Sequence, residues 1–471
     1  MAAPLILHPD RLLPVEPGTR AIARRLYAEV AGLPIVSPHG HTDPAWFAGN
    51  RSFADPTQLL VTPDHYLLRM LYSQGIPLEQ LGVARLDGAP VETDSRVAWR
   101  LFAANYHLFR GTPSRLWLDW VFSAVFGLDV RLQAETADRY FDVISGKLAD
   151  AAFQPRALFE KFGIEVLATT ESPLDDLHHH RAIRESGWTG RVITTFRPDP
   201  VLDPEYESFR DNLARLSGLT GCDALDYGGY LEALRIRRRF FISMGATATD
   251  HGHPTAATAD LGEREARALF QRVIGSTVAP GDAELFRAHM LTVMAGMSLE
   301  DGLVMQLHPG SFRNHNAGLF ARFGRDKGAD IPQRTDYVHA LKPLLDRHGN
   351  DLRLTLIVFT LDESTYAREL APLAGHYPAL KLGPAWWFHD SPEGMRRFRR
   401  QLTETAGFCN TVGFNDDTRA FCSIPARHDV ARRIDCGYLA GLVAEHQLDE
   451  DEAVELAIDL AWRSCKKAYR L

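Results

Sequence analysis

The chain has few cysteines. Cys222, Cys409, Cys422, Cys436 and Cys465 are the five in 471 residues, and no two form a CxxC pair. That excludes a disulfide-stapled scaffold and a cysteine-ligated zinc module, and it makes a reducing, cytoplasmic compartment the expectation. Long apolar runs are also missing. No segment approaches the roughly eighteen apolar residues of a membrane span, and the opening MAAPLILHPDRLLP lacks the basic start and apolar stretch of a secretory signal. Positive charge is not in excess. Lys and Arg total 52 against 60 Asp and Glu, a net charge of −8, so nucleic acid is not an expected partner. No internal repeat or low-complexity linker interrupts the chain. What remains is 45% hydrophobic and 24% charged, a globular composition suited to handling a small molecule.

What is present is a series of short apolar or β-branched runs, each ending in polar or small residues. They are LPIVSPHGH (33–41), IEVLATTES (164–172), RVITTFRPD (191–199), GATATDHGH (245–253), LVMQLHPG (303–310), LTLIVFTLD (354–362), LKLGPAWWF (380–388) and TVGFNDDTR (411–419). Runs of this length fit parallel strands covered on both faces. Eight of them alternating with helical stretches predict an α/β fold, a (β/α)8 TIM barrel.

The first two runs are separated by more than 120 residues of helical pattern. TPDHYLLRMLYSQG reads as a helix with Thr62 as N-cap, Pro63 at its first position and Gly75 as its stop. Trp99, Phe102, Tyr106 and Phe109 recur at helical spacing, and TPSRLWLDWVFSAVFG places Trp117, Trp120, Val121 and Ala124 on one face. These aromatics read as a small helical core. The expected organisation is a barrel from residues 1–54 and 161–471, with a helical insertion over 55–160 after the first strand. The C-terminal 50 residues read as helices that cover the barrel.

Barrel enzymes carry their chemistry at the C-terminal ends of the strands. The eight runs end, in order, on His39 and His41; Glu171; Arg197; Asp250, His251 and His253; His308, with Arg313 just beyond; Asp362; Trp386 and Trp387; and Asp417 and Arg419. Residues i and i+2 of a strand point the same way, so two imidazoles in His39-Gly40-His41 can face one point. Neutral imidazole is a good ligand for zinc and similar divalent ions. In a closed barrel the first and eighth strands are neighbours, so Asp417 can reach an ion held by His39 and His41. The alternative is a pair of loop histidines bonded to backbone. Asp250 and His251 are read as lining the pocket, with His251 a ligand or an outer-loop residue. The run DDLHHHRAI (175–183) reads as a solvated helix face. His65 and Tyr66, with Arg69 one turn on, either pack locally or reach over the barrel mouth.

Taken in order, SPHGHTDP, DHYLLRMLYSQGI, ATTESPLDDL, FRPD, DHG, MQLHPGSFRNHN, PAWWFHD and DDTRAF resemble the uronate isomerases, the glucuronate isomerase branch of the amidohydrolase superfamily. The resemblance runs from about residue 20 to the C-terminus. It implies a barrel with a helical insertion, one divalent ion, zinc, and a homo-oligomer. It also implies interconversion of D-glucuronate with D-fructuronate and of D-galacturonate with D-tagaturonate. The family's HxH falls on His39 and His41, its Asp-x-Arg on Asp417 and Arg419, its His-Tyr pair on His65 and Tyr66, and its strand-five histidine on His308. The runs ending ATATDHGH and VFTLD supply neither the lysine nor the histidine that would hold a second metal in superfamily hydrolases. The rival reading is a metal-dependent hydrolase or decarboxylase acting on a small acid; a further one is a sugar-acid binding protein without turnover.

An isomerisation of this kind needs a carbon base, a proton carrier for the oxygens, stabilisation of an enediolate and an anchor for the distal carboxylate. Asp417 is the expected carbon base, with Tyr66 and His65 serving the oxygens; the reverse assignment keeps Tyr66 as the base. The ion and Arg419 are expected to stabilise oxyanion charge. Arg197 and Arg313 are candidates for binding the carboxylate, or else structural ion pairs. Trp386 and Trp387 are expected to wall the sugar or to pack the barrel.

Overall fold

The computed structural model describes residues 3–275 and 278–471. Nine strands occur among them: β1 (Ile35–Ser37), β2 (Ile164–Glu171), β3 (Val192–Phe196), β4 (Ala248–His251), β5 (Val304–Leu307), β6 (Ser311–Phe312), β7 (Ile331–Pro332), β8 (Leu356–Val358) and β9 (Leu380–Leu382). Seven form one curled parallel sheet in the order β1-β2-β3-β4-β5-β8-β9. Strands β6 and β7 pair antiparallel, and the long excursion between them projects Arg313, Arg325 and Asp326 over the C-terminal ends of the sheet. Helices intervene along the chain between the parallel strands and pack against the sheet.

Seven of the eight expected runs are therefore strands in sequential order. The eighth is different. Thr411 makes a single parallel bridge to Leu382, and Val412 N donates to Leu382 O at 3.1 Å. Beyond that the backbone leaves the extended region, with φ of 78° at Gly413 and 36° at Asp417. A Cβ on Gly413 would lie 2.9 Å from Leu460 O, so only glycine fits that approach. The run returns to the sheet by one bond, from His41 N to Thr418 O at 3.1 Å.

Alternation divides the core into two layers. Val36, Val166, Ala168, Ile193, Ala248, Val304 and Ile357 fill the concave side together with Tyr469. Phe196, Met305, Leu307, Leu356 and Val358 face the surrounding helices. Between β1 and β2, Trp99, Phe102, Tyr106, Phe109, Phe122 and Tyr140 form the expected helical core, and all are buried. Each such aromatic contributes about 1.5–3 kcal/mol from area removed from water.

Two local expectations change. The cap of the helix His65–Ser73 is Asp64, not Thr62; its carboxylate accepts from Tyr66 N at 2.9 Å. Ala124 is exposed, because the helix Pro113–Trp120 runs into a π-turn over Val121–Val125 that rotates the following residues. The C-terminal segment is helical from Ile424–Ala444 to Ser464–Tyr469. Among the described residues, no helix is long and apolar enough to cross a membrane.

Candidate active site

The C-terminal strand ends open into a cavity of about 990 Å3. Its wall includes His39, His41, His65, Tyr66, Arg197 and His308, with Arg313, Trp386, Trp387, Asp417 and Arg419. Eleven of the expected site residues therefore meet in one place, the location a parallel sheet of this kind offers a ligand.

His39 and His41 lie just past β1, in a loop tied to β2 by a hydrogen bond from Thr170 Oγ1 to Gly40 O at 2.9 Å. Their Nε2 atoms lie 3.6 and 3.2 Å from Asp417 Oδ1. One ligand atom from each of the three lies within 4.8 Å of the others. Asp417 Oδ1 is buried and takes part in no hydrogen bond despite these approaches, while Trp386 Nε1–H donates to Oδ2. Two imidazoles and a carboxylate oxygen turned on one point, without hydrogen-bond geometry between them, fit a divalent ion. Burial lowers the His41 pKa and keeps its ring neutral. Burial opposes ionisation of Asp417, yet the His41 and His39 rings and the Trp386 N–H outweigh it and hold the carboxyl well below its usual range. Beneath His39, Gln306 Nε2 approaches its Nδ1 at 3.4 Å, and Tyr469 Oη donates to Gln306 Oε1 at 2.9 Å.

Asp250 sits below the cavity floor. Its Oδ1 is 2.8 Å from His308 Nε2, and its Oδ2 is 3.3 Å from Arg197 Nη1 and 3.9 Å from His39 Nε2. Burial pushes its carboxyl up, but these neighbours prevail and keep it charged. Asp250 thus reaches the cavity through His308 and Arg197 and does not line it.

A second wall is built on the helix His65–Ser73. The His65 ring stacks on Tyr66 with centroids 4.9 Å apart, and Trp387 meets His65 edge-on at 5.6 Å. Desolvation lowers His65 to about 3, leaving it neutral. Tyr66 Oη donates to Asp390, with Oδ1 and Oδ2 at 3.1 and 3.0 Å. Burial, reinforced by the Asp390 charge, raises the phenol well above its usual range. Arg427 Nη1 pairs with Asp390 Oδ2 at 2.9 Å, and its guanidinium lies 3.6 Å from the Trp117 ring centroid. Every guanidinium in this wall already has a carboxylate. Arg197 also holds Asp199 at 2.9 Å, Arg313 holds Asp330 at 3.0 Å, and Arg419 holds Asp326 at 2.9 Å.

Three expectations are corrected, and one strand-end residue serves only its own loop. His251 points to the outer side of β4, fully buried against Thr249 Oγ1 at 3.1 Å, because its parity is opposite to that of Asp250. It forms a separate group with Asp199 and His253, whose carboxylate is already engaged by Arg197 and by Gly252 N. Arg69 is outside the wall; its guanidinium lies 4.7 Å from the Phe388 ring and 6.0 Å from Tyr66. His180 in the histidine triplet is buried and bonds Thr169 Oγ1 at 2.8 Å, whereas His178 and Asp176 stay exposed. Asp362 caps its own loop through Ser364 N.

Sequence reasoning passed over Asp390, Arg427, Asp326 and Trp117 as site residues. It noted Glu171 as a strand end without assigning it a role. Asp390 closes the quoted motif PAWWFHD, so its neighbours were the available signal. Asp326 and Trp117 arrive from distant loops and helices with no local pattern to mark them.

These groups define an enzyme site: titratable side chains and a metal-fitting triad at the mouth of a parallel sheet. Residues 18–469 match the glucuronate isomerase family model. The chain is 73% identical to the uronate isomerase of Rhizorhabdus wittichii over 470 residues, covering 100% of both. It superposes on the crystal structure of glucuronate isomerase from Caulobacter crescentus with a TM-score of 0.98 at 64% identity, over 99% of this chain and 97% of that one. With the uronate isomerase structure from Thermotoga maritima the TM-score is 0.91 at 26% identity, over 98% and 99%. The chain belongs to the glucuronate isomerase family.

Proposed function

We propose that this enzyme interconverts hexuronic acids between aldose and ketose forms, D-glucuronate with D-fructuronate and D-galacturonate with D-tagaturonate. The observation that carries the reading is the meeting of His39, His41 and Asp417 with the His65–Tyr66 pair in one cavity. Family membership supports it. In the same reading, 1–54 and 161–471 form a closed (β/α)8 barrel and 55–160 a helical insertion, supported by the Thr411 bridge and the bond from His41 to Thr418. The free cysteines suit a cytoplasmic enzyme, and a homo-oligomer is part of the proposal.

His39, His41 and Asp417 would hold a single zinc ion. Bound there, such an ion would supply Lewis-acid stabilisation of oxyanion charge. Asp417 takes the proton from C2 and returns it to C1. Its Oδ1, 3.6 and 3.2 Å from the two histidines and in no hydrogen bond, is the oxygen available for that transfer. Tyr66, neutral at working pH, carries protons for the two oxygens, and the neutral His65 ring stacked on it fixes its plane. Arg419 faces the developing enediolate. Arg313 anchors the distal carboxylate: it meets Asp330 through Nη1 and lies 5.2 Å from the Trp387 ring, which walls the sugar. Arg197 and His308 orient hydroxyl groups from the floor.

The test is product analysis. Incubation with D-glucuronate should yield D-fructuronate, and Asp417→Asn should lower turnover by about a thousandfold while the protein still folds. Absence of ketose product, or near-normal turnover of the variant, sinks the proposal.

A further inference from the structure

Tyr66 poses a problem of proton accounting. Between protonating one substrate oxygen and deprotonating the other, a lone tyrosine would stand as a phenolate. Here the phenolate is strongly disfavoured: Tyr66 is buried and faces the Asp390 carboxylate with both oxygens near 3 Å (3.1 and 3.0 Å). Tyr66 can move a proton only if it loses one on one side as it gains one on the other.

We propose that Asp390 is the proton-holding partner of Tyr66, so that the phenol relays protons between the substrate oxygens and a carboxylate fixed behind it. This rests on the reading of Tyr66 as the oxygen-side proton carrier. As the substrate O2–H bond breaks, a new Tyr66 Oη–H bond forms; the original phenolic O–H breaks as an Asp390 Oδ–H forms. The reverse pair of transfers delivers the proton to O1. Tyr66 is neutral before and after, and no electrons leave the system.

The surroundings fit that task. Burial raises the Asp390 carboxyl above its ordinary range, while Arg427 moderates the rise, so the group is able to hold a proton and to release it. Arg427 is itself fixed by Ser423 Oγ at 3.1 Å, by Asp416 O at 3.4 Å and by the Trp117 ring. The other acid nearby, Asp64, is committed to capping the Tyr66 helix. Asp390 is a positioning residue in this scheme and acts through Tyr66.

A double-mutant cycle tests it. Asp390→Asn keeps the shape and one acceptor but takes no proton. It should lower kcat about a hundredfold or more, with KM within about threefold. In a Tyr66→Phe background the same substitution should cost no more than about twofold, because the relay is already cut. A purely structural Asp390 would cost the same factor in both backgrounds, and that result overturns the proposal. Near-normal turnover of Tyr66→Phe alone would instead overturn the underlying reading of Tyr66. Should Asp390→Asn not fold, Asp390→Glu, which keeps the ion pair with Arg427, enters the same cycle under the same requirement of non-additivity.

Discussion

Glu171→Gln should make folding stability less dependent on pH. Glu171 ends β2 and lines the cavity, and its carboxyl accepts from Thr194 Oγ1. Burial dominates its environment; hydrogen bonds from Thr169 and Thr194 offset only part, and the charges of Asp175 and Asp43 add to the burial, pushing the pKa from 4.5 up to about 8. Between those values the folded state keeps the proton that the unfolded chain releases. The resulting stability is fully present below about pH 4.5 and is lost as pH rises through about 8. From pH 5 to 8 is about three pH units, and at about 1.36 kcal/mol each the wild-type loss is about 4 kcal/mol, an upper bound once local relaxation is allowed. Gln keeps the shape and cannot ionise. Urea unfolding of both proteins at pH 5 and pH 8.5 should show the wild type losing stability relative to the variant by about 2–4 kcal/mol. Parallel profiles within about 1 kcal/mol would mean that Glu171 is ionised at neutral pH, and would refute the argument from burial.

Replacing His39 and His41 together by Ala should reduce bound divalent metal to a small fraction of the wild-type content in elemental analysis; unchanged content would place the ion elsewhere. Gly328→Ala should lower stability by about 1–3 kcal/mol and raise KM. At a φ of 77° its Cβ would stand 2.6 Å from both Arg69 Cβ and His65 O, so the helix bearing His65 and Tyr66 must shift. A thermal midpoint and KM both equal to wild type would contradict that.

Much of the sheet was legible because parallel strands are short, apolar and end on polar residues. All seven of its strands lie within predicted runs. The eighth run failed as a strand for a reason its composition hides: Gly413 and Asp417 take left-handed backbone, and it is this break that turns Asp417 toward His39 and His41. The triad was legible because HxH is a local pattern and the order of strands brings its third member close. The Tyr66–Asp390–Arg427 chain was not, since its members lie 324 and 37 residues apart along the sequence and are joined only by hydrogen bonds and an ion pair that form in the folded chain. Parity misled for His251. It was grouped with Asp250 by proximity, though adjacent strand residues face opposite sides.

The arginines of the cavity wall already have internal counter-ions: Asp199 and Asp250 for Arg197, Asp330 for Arg313, Asp326 for Arg419. At these arginines, as distinct from the ion proposed for His39, His41 and Asp417, an incoming carboxylate therefore does not fall into an open positive well. It enters by exchange, taking over donors that a resident aspartate must yield or share, and gains only the difference between two pairings. Chloride or sulfate, without hydroxyl groups to engage the rest of the cavity, gains little from that exchange, and a neutral sugar cannot make it at all. On the proposed role of these arginines, selectivity for sugar acids would come from competition with the protein's own anions as much as from attraction.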